Sequence, residues 1–194
     1  MIRAPHEIPA TGAAASFAAQ LQAALPVLET ARLVLRAPCI EDFETYAAIG
    51  ESDRGRYLVE DNSDRDALWL DFAQMVACWL LRGHGVWTVE RKQDGKAIGF
   101  VLLGFEPGDH EPELGYLFLP EAEGHGYAQE AARAARSHAF DTLGLTTLVS
   151  TIDPDNARSI RLAERLGATR DAAAEAAHGN AIHVFRHNAE ETLQ

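Results

Sequence analysis

The stretch Leu119-Pro-Glu-Ala-Glu-Gly-His-Gly-Tyr-Ala-Gln-Glu-Ala-Ala-Arg133 joins an apolar run, typical of a strand, to an alanine-rich helical pattern. The first turn of a helix has N–H groups without intrahelical partners at the positive end of the helix dipole. Because Gly124 and Gly126 have no Cβ, an anion can approach their backbone closely. The stretch favours a phosphate site, although an ordinary strand–helix turn with two incidental glycines has the same pattern.

The composition limits the class of protein. A chain of 194 residues suits one domain with a substantial core, and its apolar stretches are too interrupted to span a membrane. Cys39 and Cys78 lack metal-ligand spacing, so we expect free thiols and a cytoplasmic location. The formal charge of −12 disfavours nucleic acid as a partner and is compatible with a cationic substrate such as an amine.

The first 26 residues differ from the rest of the chain. The segment Thr11 to Leu25 has helical propensity and stops before Pro26, and Phe17, Leu21 and Leu25 recur every four residues. We therefore predict a helical extension over residues 1–26 and one domain over 27–194. The apolar stripe predicts packing on the domain or on a second subunit, so monomer and homodimer both stay open.

From residue 28 onward the hydrophobic period alternates between that of strands and that of helices. The order of elements, with a loop over 52–63, predicts an α/β protein with a mixed sheet and helices on both faces. The predicted strands cover residues 31–36, 86–90, 97–106, 113–119, 147–152 and 181–186, and the predicted helices cover 40–49, 64–81, 126–142 and 156–166.

Four segments in this order carry a resemblance to a known family. They are Arg32-Leu-Val-Leu-Arg36, Glu113-Leu-Gly-Tyr-Leu-Phe-Leu-Pro120, Gly124-His-Gly-Tyr-Ala-Gln-Glu130, and Asn156-Ala-Arg-Ser159 with Arg165-Leu-Gly167. Over about residues 28–187 the chain resembles the GCN5-related N-acetyltransferases (GNAT), specifically the branch of bacterial ribosomal-protein N-terminal acetyltransferases (RimJ/RimL type). The resemblance implies acetyl-CoA as donor, an amine as acceptor, no metal, and a mostly antiparallel mixed sheet with a splayed parallel strand pair.

The resemblance also implies where acetyl-CoA binds. The family's pyrophosphate pattern falls on residues 123–128, with main-chain N–H donors from about His125 to Gln129. Glu123 departs from that pattern, because a carboxylate stands where Arg or Gln is usual, and beside a pyrophosphate it is unfavourable unless it points away or pairs with a base. The pantetheine arm would lie between the strands at 113–119 and 147–152. The predicted cofactor contacts are Leu117, Phe118, Leu119, Gly124, His125, Gly126, Tyr127, Ala128, Gln129, Asn156 and Ser159.

Catalytic roles follow from the same resemblance. Glu113 is the predicted general base, with Glu111 and His110 as alternatives that act directly or through water. A main-chain N–H near Leu117 to Leu119 would stabilise the oxyanion. Many relatives have a tyrosine acid seven residues after the Asn, but this chain has Ala163 there. Ser159 or water is then the predicted proton source, and Asn156 is predicted to cap its helix or to contact the cofactor.

The acceptor is the least determined part of the sequence-based prediction. Arg54, Arg56 and Tyr57 lie where this family often builds its acceptor site, but a solvated loop fits the same residues. The candidate acceptors are a protein N-terminus or a small-molecule amine, namely an amino acid, a polyamine or an antibiotic. A non-catalytic acyl-CoA-binding module is the alternative outside the enzymes. The His183–His187 spacing does not predict metal, because residues four apart on a strand lie far from each other.

Overall fold

The structure is a computed structural model that describes residues 3–58, 64–179 and 181–189. Within these residues one sheet has eight strands in the order β1-β2-β3-β4-β5-β6-β8-β7, antiparallel except for β5 and β6. The strands are β1 (Leu28–Glu29), β2 (Leu33–Arg36), β3 (Val86–Arg91), β4 (Lys96–Gly104), β5 (Glu113–Phe118), β6 (Val149–Ile152), β7 (Thr169–Arg170) and β8 (His183–Arg186).

Helices lie on both faces of this sheet, as the order of elements predicted. They are α1 (Gly12–Ala23), α2 (Phe43–Gly50), α3 (Arg65–Arg82), α4 (Tyr127–Ser137), α5 (Ala157–Arg165) and α6 (Ala172–Ala177). The ends of α3 show why the chain is helical there. Asp64 caps its start by accepting from the N–H groups of Asp66 (2.9 Å) and Ala67 (3.3 Å), and Gly83 ends it with a φ of 75°.

The core has two layers, one on each face of the sheet. On one face, α2 and α3 bury aromatic side chains such as Phe43 and Phe72 against Phe100 of β4. On the other face, α4 presents Ala131 and Ala135, whose small side chains let the helix lie close to the strands. Truncating a buried phenylalanine such as Phe43 to alanine costs about 3–5 kcal/mol, so these layers hold the sheet rigid beneath the site.

The parallel pair β5 and β6 separates immediately after it forms. In the described part of the chain the two strands share a single register position, at which Glu113 lies opposite Val149. Beyond it, side chains replace the main-chain ladder. The Thr151 N–H donates to Glu113 Oε1 (3.0 Å), and Ser150 Oγ donates to the Leu114 carbonyl (2.6 Å). The splayed strand pair that the resemblance implied is therefore present, and it leaves a gap between two strands.

Several elements differ from the prediction. The helix predicted over 126–142 is α-helical only to Ser137, and His138–Thr142 continues as a π-helical turn. Short elements β1, β7 and α6 were not predicted. The N-terminal helix is present, but none of its residues is buried, and Phe17 is 61% exposed. Residues 59–63 of the predicted loop and 190–194 of the predicted domain lie outside the described residues.

Candidate active site

The gap between β5 and β6 opens into a cleft of about 1000 Å³. One end lies at the start of α4 and along α5, and the other lies between α2, α3 and the turn that follows β4. Leu119 and His125 do not line it. Among the predicted site residues the lining includes Arg54, Arg56, Tyr57, Glu113, Leu117, Phe118, Gly124, Gly126, Tyr127, Ala128, Gln129, Asn156 and Ser159.

The turn before α4 has the backbone that an anion site requires. Gly124 and Gly126 have φ values of 76° and 77°, which glycine adopts without the strain that a side chain would cause. The Glu130 N–H makes the first intrahelical bond, to the Gly126 carbonyl (3.1 Å), and no side chain caps the helix. The N–H groups of Tyr127 to Gln129 precede that bond, so they are the helix donors that can face an anion in the cleft.

Arg32 holds this turn in place, a role that its position in the N-terminal motif did not indicate. Its guanidinium donates to the His125 carbonyl (2.8 Å) and to Glu130 Oε2 (2.7 Å), and it lies 4.7 Å from the centre of the Tyr127 ring. The residue just before β2 is thereby tied to the start of α4. His125 contributes its carbonyl to this arrangement, and its ring stacks on Tyr127 at 5.4 Å.

The carboxylate that departs from the family pattern is paired with bases. Arg54 donates to Glu123 Oε1 through Nε (2.9 Å), with Nη2 at 2.7 Å, and Arg158 of α5 lies 3.7 Å from the same oxygen. This pairing offsets the negative charge beside the amide donors. The structure places Arg54 at the start of α4, whereas Arg56 and Tyr57 contact each other through a ring stack of 4.5 Å.

The loop that carries Arg54 packs directly on α2. A Cβ added to Gly55 would fall 1.5 Å from the Gly50 carbonyl oxygen, which no side chain could tolerate without moving the loop. The Gly55 N–H donates to the Ser52 carbonyl (2.9 Å), which closes the turn. Close backbone approach therefore sets the position from which Arg54 reaches Glu123.

The register of β5 selects one of the three predicted oxyanion donors. The Leu119 N–H donates to the Ile98 carbonyl (3.0 Å), so it points toward β4 and away from the cleft. Because donors alternate sides along an antiparallel ladder, the Leu117 N–H also points toward β4. The Phe118 N–H points toward the gap. Within the predicted range Leu117 to Leu119, Phe118 is therefore the residue whose N–H can face the cleft.

Glu113 lies where β5 and β6 part. Its carboxylate accepts from Thr151 N (3.0 Å) and Thr151 Oγ1 (2.6 Å). Burial raises the pKa of Glu113 to about 7, the Thr151 hydrogen bonds act against that rise, and the charges of Asp109 and Glu106 add to it. A carboxylate with a pKa near neutrality suits a general base.

The two alternative bases are held in other arrangements. Glu111 accepts two hydrogen bonds of 2.7 Å from Arg186 and one from Thr147. The Arg186 contact lowers the pKa of Glu111 to about 2, which makes it a weak base at neutral pH. His110 lies with its ring 5.0 Å from that of His178 beside a separate, smaller pocket. Glu113 is therefore the best placed of the three.

The sequence profile described as "Acetyltransferase (GNAT) domain" matches residues 32–169 of the chain, a span that contains the turn before α4, β5 and most of the cleft. The chain belongs to the GNAT family. It is an acetyltransferase, and GNAT acetyltransferases use acetyl-CoA.

Two curated relatives come from Bacillus subtilis (strain 168). The "Uncharacterized N-acetyltransferase YoaA" is 29% identical over 145 residues, which cover 73% of this chain and 82% of YoaA. The "Uncharacterized protein YkkB" is 39% identical over 92 residues, and that match covers 44% of this chain and 52% of YkkB. The chain thus spans about half the length of YkkB.

Solved structures share the GNAT fold. An acetyltransferase from Agrobacterium tumefaciens str. C58 is 35% identical, with a TM-score of 0.76 and coverage of 85% of this chain and 95% of that one. The microcin C7 self-immunity acetyltransferase MccE, solved in complex with acetyl-CoA and AMP, is 14% identical, with a TM-score of 0.61 and coverage of 81% of this chain and 93% of MccE. At that identity MccE shows the fold alone.

Within this GNAT fold, α5 supplies the remaining predicted residues. Asn156 Oδ1 accepts from the Ser159 N–H (3.2 Å), so Asn156 is the cap of its helix. Ala163 is fully buried at the position where many relatives have a tyrosine. The phenol of Tyr116, on β5, lies beside α5 instead, because its hydroxyl donates to the Ser159 carbonyl (3.0 Å). Sequence reasoning missed Tyr116, which has the pattern of an ordinary strand aromatic.

Proposed function

We propose that the chain transfers the acetyl group of acetyl-CoA to a primary amine by direct attack of the amine on the thioester. The observation that carries the proposal is the arrangement along one gap. The amide donors at Tyr127 to Gln129, the inward N–H of Phe118 and the carboxylate of Glu113 all border the same cleft. An anion site, an oxyanion donor and a base are the three parts that such a transfer requires.

The chemistry assigns one task to each part. The diphosphate of acetyl-CoA binds at the start of α4, and the pantetheine arm lies along the open edge of β5. Glu113 accepts a proton from the acceptor ammonium, and the resulting amine attacks the carbonyl carbon of the thioester. The Phe118 N–H stabilises the oxyanion, and one such donor contributes roughly 3 kcal/mol to lowering the barrier.

The last step breaks the C–S bond and removes the second proton of the attacking nitrogen, which leaves the neutral amide and the thiolate of coenzyme A. That proton reaches the thiolate through the Ser159 hydroxyl, water or the Tyr116 phenol, so the relay group regains the proton that it donates. Burial raises the pKa of Tyr116, so the phenol stays protonated at neutral pH, and its O–H would turn from the Ser159 carbonyl to the leaving sulfur. All three groups stay candidates for this role.

Two acceptor classes fit this mechanism. The sequence resemblance favours a protein N-terminus, whereas the side chains at the α2–α3 end of the cleft favour a small-molecule amine. Membership of an acetyltransferase family supports an enzyme over a non-catalytic acyl-CoA-binding module. Arg56 and Tyr57 border the cleft and are proposed to contact the acceptor.

The cellular setting is part of the same proposal. Cys39 and Cys78 are free thiols, which supports a reducing cytoplasm. None of the helices in the described ranges is long and apolar enough to cross a bilayer. Phe17 and Leu21 of α1 are exposed. They stay in solvent if the protein is a monomer, or they pack on a second copy if it is a homodimer.

Release of free thiol from acetyl-CoA in the presence of an amine panel tests the proposed function. We expect thiol release that depends on the amine, with the acetylated amine identified by mass spectrometry. Calorimetry with acetyl-CoA is run on the same protein. Binding without amine-dependent thiol release would leave only the acyl-CoA-binding alternative, and absence of binding would overturn the assignment of the turn before α4.

A further inference from the structure

The acceptor end of the cleft is lined by four carboxylates from three separate segments. Asp71 comes from α3, Glu106 and Asp109 come from the turn after β4, and Glu113 begins β5. An acetyltransferase must bind an acceptor beside its base, so these side chains line a site that the proposed function already requires. What they add is the chemical class of that acceptor, and this inference therefore rests on the proposed function.

Among the buried and partly buried carboxylates of the described ranges, these four differ from the others in having no cationic partner. Within the described ranges none of them makes an ion pair, and their hydrogen bonds come from neutral groups. Asp71 accepts from the Tyr46 hydroxyl, Asp109 from the Glu106 N–H (2.6 Å), Glu106 bonds to Gln74, and Glu113 accepts from Thr151. By contrast, an arginine pairs with each of Glu7, Asp42, Glu90, Glu111, Glu123, Glu130, Asp171 and Glu175.

This arrangement is unfavourable without a bound cation. Partly buried carboxylates lose hydration, and like charges nearby repel one another. Burial raises the pKa of Glu106, and the charges of Asp71 and Asp109 raise it further. Glu106 and Asp109 act in the same direction on Glu113, so the four acids form one electrostatic group. A cation bound among them relieves both the repulsion and the lost hydration.

The surroundings favour an organic cation over a metal ion. Among the described residues no group of three or more His, Cys, Asp and Glu side chains could hold a metal ion. The acids share the cleft with the apolar side chains of Ile49, Met75 and Leu102. Carboxylates and apolar side chains that line one cleft match ammonium groups joined by methylenes.

We propose that the acceptor is a linear diamine or polyamine, which places its reacting amine at Glu113 and a second ammonium among Asp71, Glu106 and Asp109. In the described part of the chain, no arginine that lines the cleft forms an ion pair with these acids. Arg54 and Arg158 lie beside Glu123 at the start of α4, and Arg82, which is outside the cleft lining, stacks on Phe105 at 4.0 Å. A substrate with one ammonium would leave three carboxylates without a partner.

The test compares α,ω-diaminoalkanes with n-alkylamines of the same length, for example 1,4-diaminobutane with n-butylamine, using kcat/KM for acetyl transfer. We expect a preference for the diamine of about tenfold or more, the size of one charge-assisted hydrogen bond. Asp71→Asn and Glu106→Gln should each reduce this ratio toward one. Asp141→Asn and Glu164→Gln, matched changes at exposed acids outside the cleft, should leave the ratio unchanged.

Added salt gives a second measurement that needs no variant. The diamine preference of the wild-type protein should fall as ionic strength rises, because screening weakens the second ammonium contact. Equal kcat/KM for diamines and monoamines would overturn the inference and leave the proposed function intact. A preference for peptide N-termini over diamines would also overturn it. If acetyl-CoA binds and no amine is acetylated, the proposed function itself fails.

Discussion

The two ends of the cleft are built in opposite ways. The cofactor end is made by consecutive backbone groups, from Gly124 to Glu130, and its side-chain charges are arginines such as Arg54 and Arg158. The acceptor end is made by side chains that come from α2, α3 and the turn after β4, and its charges are carboxylates. One end suits an anion and the other suits a cation.

This difference separates the cofactor site, which every member of such a family needs, from the acceptor site, which is particular to one chain. A diphosphate can be bound by main-chain N–H groups, which any sequence with the right turn provides. An acceptor is chosen by side chains, which can change without altering the sheet. We therefore expect the acceptor end to respond to substitution mainly through specificity, and the cofactor end through affinity.

The largest expected effect concerns the proposed base, Glu113, at the acceptor end of the cleft. Glu113→Gln should lower kcat/KM by about 10²–10⁴-fold, because the amide cannot accept the ammonium proton. In the wild-type protein kcat/KM should fall as pH drops below about 7, since Glu113, whose pKa is raised to about 7, is then protonated and inactive. Stopped assays of acetyl transfer across pH check both statements.

Glu111→Gln is the matched control for this change. Glu111 is bound by Arg186, so its loss should cost about 1–3 kcal/mol of unfolding free energy and leave the pH profile near neutrality in place. The lowered pKa of Glu111 means that its contribution is present above the unfolded pKa and is lost as pH falls toward about 2. An unchanged profile in Glu113→Gln at saturating amine would exclude Glu113 as the base.

A smaller effect is expected at the cofactor end. Gly126→Ala places a side chain at a φ of 77°, and relief of that backbone strain should shift the amide donors and weaken acetyl-CoA binding about tenfold. Gly144→Ala carries a similar strain at a φ of 65° in open space. Calorimetry should show weaker binding only for the Gly126 variant, and equal losses in both would assign the effect to stability.

The smallest effect concerns the Arg54–Glu123 ion pair beside the amide donors. Both side chains are partly exposed, so a double-mutant cycle with Arg54→Ala and Glu123→Ala should give a coupling of about 0.5–1 kcal/mol in unfolding free energy at low salt. Acetyl-CoA affinity measured on the same four proteins shows whether the pair matters for binding. A coupling free energy near zero would mean that the ion pair between Arg54 and Glu123 does not stabilise the fold.

The cofactor end could be predicted from sequence because its determinants are local. Two glycines, a strand before them and a helix after them stand within one short stretch, and the structure has the positive φ values at Gly124 and Gly126 that this stretch favours. The same holds for α3, where Asp64 and Gly83 mark the ends. Local rules decide such features before the chain folds.

The acceptor end could not be predicted because no local pattern joins its parts. Asp71 looks like a solvated position on an amphipathic helix, and Glu106 looks like the end of a strand. Only tertiary packing brings them together and leaves them without arginine partners. The sequence could give only a range, Leu117 to Leu119, for the oxyanion donor for a related reason, since the side of β5 on which an N–H points depends on its register with β4.

The close contact between Gly55 and the Gly50 carbonyl means that homologous chains can be grouped by the residue type at this position. A relative with any larger residue at that place must route its backbone differently there, whatever its overall likeness. Such chains would reach their acceptors through a differently shaped entrance. The residue aligned with Gly55 thus divides the family into chains with glycine and chains with a larger residue, and we expect the two groups to differ in the shape of the entrance to the acceptor end.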